Sequence, residues 1–158
     1  MGTLRVPVTQ HDHIRGPANA PVIIVEYGDY ECPHCGLAHP IVNAVREHFA
    51  RQLRFVFRHF PLIQVHPNAE TAAESAEFAG AKACGPRRTA AANPIGPGFA
   101  RWRAGNTSRR CAPISSVACA GVNGTPSFFI NRERHDGSYA FDDLVAAIEL
   151  RLRRRAAL

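Results

Sequence analysis

A strand–helix–strand pattern over residues 22–60 constrains this chain more than any other feature. Val22, Ile23, Ile24 and Val25 open a short β-branched run that ends at Tyr27, the pattern of a buried strand. Residues 28–31 read as a turn. Pro33 then falls at a first helical position, where its missing N–H costs nothing, and the spacing predicts a helix from Cys32-Pro33 to about Ala50. Leu37, Ile41, Val45 and Phe49 recur every fourth residue and are expected to form its buried stripe. Pro40, inside the same stretch, predicts a kink. Residues 53–60 form the next strand, with Leu53, Phe55 and Phe57 on one face and Arg54, Val56 and Arg58 on the other. Two strands joined by a helical crossover pair in parallel, as a β-α-β unit.

The remaining segments attach to that unit. Residues 3–20 read as an extended arm, broken by Gly16-Pro17 and Ala20-Pro21. A second helix is expected from Pro67 to about Ala81, packing through Ala69, Ala72, Ala73, Ala76 and Ala79 or Gly80. Residues 127–130 read as a strand. A turn around residues 131–137 returns the chain as an antiparallel partner. A last helix starts near Phe141 with Leu144, Val145, Ile148 and Leu152 on one face. Asp142 and Asp143 in its first turn and Arg151 and Arg153 to Arg155 in its last suit the helix dipole. The expected architecture is a mixed α/β sandwich, a central sheet with helices on it.

Length and composition limit the function. A chain of 158 residues is one domain and can bury a core without metals or disulfides as staples. Its longest aliphatic run, Val22 to Val25, cannot span a bilayer. The first residues lack an apolar core and a small-residue cleavage site, so a cytoplasmic location is expected, or a periplasmic one if the start lies elsewhere. The net charge of +6 comes from one segment. Residues 81–120 hold Lys82 and six arginines and no acid, which leaves the rest of the chain at −1. A nucleic-acid partner is therefore not expected.

The chemistry lies in Cys32-Pro33-His34-Cys35, after a strand and at the opening of a helix. A C-x-x-C pair serves either zinc or redox chemistry, and position decides between them. At a helix start the first thiol meets unpaired backbone N–H groups and the positive end of the dipole. Both favour the thiolate, which is the nucleophile of disulfide exchange. His34 can add positive charge or a hydrogen bond, and Cys35, one turn in, can reach back to Cys32. A zinc site needs about four ligands. Only His39, His59, His66 and Cys84 are spare for that role, and the three histidines are expected to be surface or packing residues. A c-type haem motif would need His directly after Cys35, where Gly36 stands. Tyr27 and Tyr30 are expected to pack in the core.

The stretch VEYGDYECPHC, the helix carrying Pro40, and GVNGTPSFFI resemble the DsbA-like branch of the thioredoxin family, over about residues 5–80 and 121–150. The resemblance implies a thioredoxin-like α/β fold: a central mixed sheet flanked by helices, with a helical insertion. It implies a thiol–disulfide oxidoreductase in which Cys32 attacks and Cys35 resolves, with Pro33-His34 as the dipeptide of strongly oxidising members. It implies that Glu26 is a buried acid moving the proton of the second thiol. It also implies that Thr125 and a cis-Pro126 bind substrate backbone. Protein or small-molecule thiols and disulfides and a redox partner protein follow as partners, with no cofactor and no metal.

Residues 81–120 depart from that pattern. They contain no Leu and no acid, four Pro and four Gly, and three cysteines, Cys84, Cys111 and Cys119. That composition is expected when a GC-rich frame is misread, with the frame regained near Gly121. The insertion is therefore expected to be degraded or missing. The chain then reads as one domain over 1–158, its core at 20–80 and 121–155 and its irregular part at 81–120. Two other readings stay open: a small zinc-binding module using the same cysteines, and an inactive remnant of a DsbA-like protein.

Overall fold

The crossover expected between residues 22 and 60 is present in the computed structural model, which describes residues 2–83 and 122–156. The expectations placed on residues 84–121, among them the misread frame and three cysteines, lie outside the described residues. Strand β1 is His13–Arg15, β2 is Val22–Gly28, α1 is Pro33–Phe49, and β3, after a 3-10 turn at Ala50–Gln52, is Leu53–His59. Helix α2 is Ala69–Ala83, β4 is Ser127–Ile130, β5 is Glu133–His135 and α3 is Phe141–Ala156. The described strands form one sheet in the order β1-β3-β2-β4-β5. Only β2 and β3 run parallel, from Val22 opposite Leu53 to Gly28 opposite His59. The other pairs are antiparallel, so the sheet is mixed, as expected.

Period-2 alternation divides the sheet into two faces. Val22 and Ile24 of β2, Leu53 and Phe55 of β3, and Phe128 and Ile130 of β4 face α1 and α3. They pack on Ala38, Val42, Val45 and Phe49 of α1 and Leu144 and Ile148 of α3. Val25, Tyr27, Val56 and Phe129 face the other way, onto Leu4, Phe60 and Val122. Each fully buried Val, Leu, Ile or Phe among them contributes roughly 1.5–3 kcal/mol by leaving water. The β4–β5 connection is a two-residue turn in which Asn131 and Arg132 both take positive φ, 48° and 76°. That is the turn geometry whose twist matches paired strands. Asn131 holds it by accepting the Ile23 N–H and donating its own N–H to the Ile23 carbonyl.

Three expectations need correction. The buried face of α1 is Cys35, Ala38, Val42, Val45 and Phe49; Leu37 is exposed. The small Ala38 is fully buried, so the helix lies close on the sheet through a residue that a stripe of large side chains overlooks. Residues 3–20 are not merely an arm. β1 extends the sheet edge alongside β3, Leu4 is fully buried, and Arg58 clamps Asp12 with two contacts of 2.7 and 3.0 Å while donating to the Val6 and Pro7 carbonyls. Finally, α2 buries Ala69, Ala73 and Phe78 together with Glu74 and Glu77, while Ala79 and Gly80 are exposed.

Candidate active site

Cys32 stands at the N-cap of α1, in extended geometry and with no side-chain cap, and Pro33 follows at the first helical position. Both Cys32 and Cys35 are free thiols and both are buried. Burial by itself would raise Cys32. Hydrogen bonds to its thiolate from the Thr125 side chain, from the backbone N–H groups of Cys35 and His34 and from the Cys35 thiol outweigh that effect, so Cys32 lies below the ordinary thiol range. As a thiol, Cys32 donates to the Thr125 carbonyl at 3.4 Å. The Thr125 hydroxyl is buried and makes no hydrogen bond among the described residues while Cys32 is a thiol. Cys35 goes the other way. Burial pushes its thiol up to about 12, against a hydrogen bond from the Asp29 N–H at 3.4 Å.

The cis Thr125–Pro126 bond lies against this pair, through the Cys32–Thr125 contact. His34 is exposed, with Nδ1 3.4 Å from the Tyr139 hydroxyl, the far limit of a hydrogen bond. Glu26 is 4% exposed on β2, and burial lifts its carboxyl to about 7. It lines a cavity of about 730 Å³ together with Cys35, Tyr30, Phe57, His13 and His59. Strand register explains the grouping. His13 lies opposite Phe57, and Phe57 opposite Glu26, so all three share one face of the sheet.

Several neighbours of the site were not legible beforehand. Asp29 is 3% exposed and accepts from the N–H groups of Glu31 and Leu62 and from His66 at 2.7 Å. Burial would raise its carboxyl, but these donors hold it below the usual range. Asp29 thereby fixes the turn that delivers the Cys32 N–H and receives Cys35. Tyr30, expected in the core, is half exposed at the cavity rim, tilted against Phe57 and His59. His59 is a packing residue, one of the two expected outcomes, buried against Glu77 at 3.0 Å, and His66 pairs with Asp29. Tyr27 is core, as expected, with its hydroxyl accepting from Arg58. The signals for Asp29 and Glu77 were present, an acid just before the cysteine motif and an acid on the inner face of an Ala-rich helix. Their partners were too far along the chain to be read. Among the described residues, the cysteine pair belongs to no cluster of three or more metal-ligating side chains.

A family model described as Thioredoxin matches residues 8–93, more than half the chain. The chain belongs to the thioredoxin family. Its DsbA-like fold is that of Wolbachia pipientis alpha-DsbA1, which it matches with a TM-score of 0.67 and 20% identity over 98% of this chain and 96% of that one. A thioredoxin-like oxidoreductase from Silicibacter pomeroyi DSS-3 matches with a TM-score of 0.64 and 25% identity, over 92% and 94%. Among sequences, a Na(+)/H(+) antiporter NhaA 1 of Salinispora arenicola is 40% identical over 167 residues, covering 92% of this chain and 26% of the antiporter. This chain thus spans about a quarter of the length of the curated relatives it matches.

Proposed function

We propose that this chain is a DsbA-type thiol–disulfide oxidoreductase in which Cys32 exchanges with substrate and Cys35 resolves. The observation that carries this reading is the asymmetry of the pair: Cys32 lies below the ordinary thiol range and Cys35 is raised to about 12. When the pair is oxidised, a substrate thiolate attacks Cys32 Sγ, the Cys32–Cys35 bond breaks, and Cys35 leaves with the electron pair and takes up a proton. A second substrate thiolate then attacks the mixed disulfide and releases Cys32 as thiolate. Two substrate thiols become one disulfide and the enzyme pair becomes a dithiol. A stabilised Cys32 thiolate is the better leaving group, which favours this oxidising direction. In the reverse direction Cys32 attacks a substrate disulfide, and Cys35 must lose its proton to resolve.

Glu26, whose carboxyl near 7 shares the cavity with Cys35, is the acid–base group for that proton. Pro33 starts the helix and His34 sits at the exposed rim toward substrate. Thr125 and Pro126 dock the backbone of an extended peptide, since Pro126 offers no N–H to a neighbouring strand. Substrates are protein or small-molecule thiols and disulfides, with a redox partner protein to reset the pair. The compartment sets the net direction, a reducing cytoplasm holding the dithiol and an oxidising one the disulfide. No helix among the described residues is long and apolar enough to cross a membrane. From the antiporter relatives we take only the quarter they share with this chain, and assign to that part thiol chemistry.

The test is oxidation of a dithiol peptide by the preoxidised chain, followed with Cys32→Ser and Cys35→Ser. Both variants should fail to oxidise the dithiol peptide, and with the disulfide form of the peptide reduced Cys35→Ser should hold a mixed disulfide through Cys32 while reduced Cys32→Ser holds none. A mixed disulfide in Cys32→Ser, or none in Cys35→Ser, overturns the assignment.

A further inference from the structure

We propose that His13, His59 and Glu77 form a binding site for a divalent transition-metal ion, with zinc the best match. The three residues come from β1, β3 and α2 and converge on one point. His13 Nε2 lies 2.5 Å and His59 Nε2 3.0 Å from the same Glu77 oxygen, Oε1. All three ligand atoms lie within 4.8 Å of one another. His59 and Glu77 are buried, with side chains 4% and 3% exposed, while His13 is 46% exposed. One ligand is therefore open to solvent, and it borders the cavity beside Cys35.

The donor set selects the ion. Two imidazoles and one carboxylate suit zinc and its neighbours in the first transition row, whereas calcium and magnesium take oxygen ligands. Three protein ligands with a fourth position open to solvent is a coordination that zinc adopts elsewhere. Metal–ligand distances of about 2.0–2.2 Å place tetrahedral ligand atoms ~3.3 Å apart. The His59–Glu77 separation is already near that. The His13–Glu77 separation must open by under ~1 Å, at the most exposed of the three ligands. His59 Nδ1 is buried with no hydrogen-bond partner among the described residues. Binding through Nε2 puts the ring proton on Nδ1, and the metal–nitrogen bond must offset the missing acceptor there. A bound ion would tie the N-terminal strand and α2 to the edge of the sheet. This proposal is independent of the thiol chemistry.

The test is isothermal titration of Zn²⁺ into the full chain with all five cysteines replaced by serine, at pH 7.5. One equivalent is expected to bind, weakened at least tenfold by His13→Ala and by Glu77→Gln, with no binding of Mg²⁺. Co²⁺ absorption on the wild-type reduced chain provides a second reading, should the serine chain fail to fold. A cobalt spectrum without sulfur-to-metal charge transfer, lost in His13→Ala, supports the site. No binding at millimolar Zn²⁺, binding that persists in His13→Ala, or bound metal accounted for by thiolate ligands overturns it and leaves the triad as a polar tie between strands and helix.

Discussion

Glu26→Gln should turn the burial of this carboxyl into a measurable pH dependence of stability. The group is 4% exposed on β2, and its pKa rises from 4.5 to about 7 on folding because burial disfavours the charged form. Between those values the folded state holds a proton that the unfolded state has released. Stability therefore falls as pH rises through that window and levels off above it. At 1.36 kcal/mol per pKa unit, the full loss is about 3 kcal/mol. Gln keeps the shape and removes the titration. The variant's own buried amide carries a cost of about 1–3 kcal/mol that does not change with pH, so the informative quantity is the difference between variant and wild type as a function of pH. Urea unfolding of both reduced proteins at intervals from pH 4 to pH 8.5 measures it. The variant should gain about 3 kcal/mol relative to wild type between pH 4 and pH 8, with most of the change between 4.5 and 7. A flat difference would mean that water or a cation reaches Glu26, and would remove its claim to act on the Cys35 proton.

The other predictions address the thiols and the arm. Cys32 should be alkylated at a pH well below that needed for an ordinary thiol, and Cys35 only far above it; equal rates measured by mass spectrometry would contradict the asymmetry. Thr125→Val should move the Cys32 thiolate absorbance titration to higher pH, because a hydroxyl that lowers Cys32 is gone; an unchanged titration would assign the lowering to the helix backbone and the Cys35 thiol. Leu4→Ala should cost about 2–5 kcal/mol by denaturant unfolding, since Leu4 is 2% exposed against the sheet. A loss below about 1 kcal/mol would mean that the arm is not part of the cooperative core.

Local pattern and the docked structure divide the explanation of this chain. The strand at Val22, the helix opened by Pro33, the strand at Leu53 and the hairpin around Asn131 all follow from short-range signals: β-branching, a proline at a helix start, period-2 alternation and turn residues. The cysteine pair at the helix start is equally local, and with it the direction in which backbone N–H groups push Cys32. What the sequence could not supply was partners across distance. His13 and His59 meet Glu77 from 64 and 18 positions away, and His66 meets Asp29 from 37. An acid or histidine that is buried by such a partner has the same polarity in a sequence as one that faces water. The same limit hid the edge strand in residues 3–20, because a three-residue strand has too little pattern of its own and exists only where β3 offers an open edge. It also misplaced the inner face of α1, where Ala38 rather than Leu37 meets the sheet. Side-chain size favours the large residue, but the close approach of a helix to a sheet favours the small one, and only the docked helix decides which consideration wins.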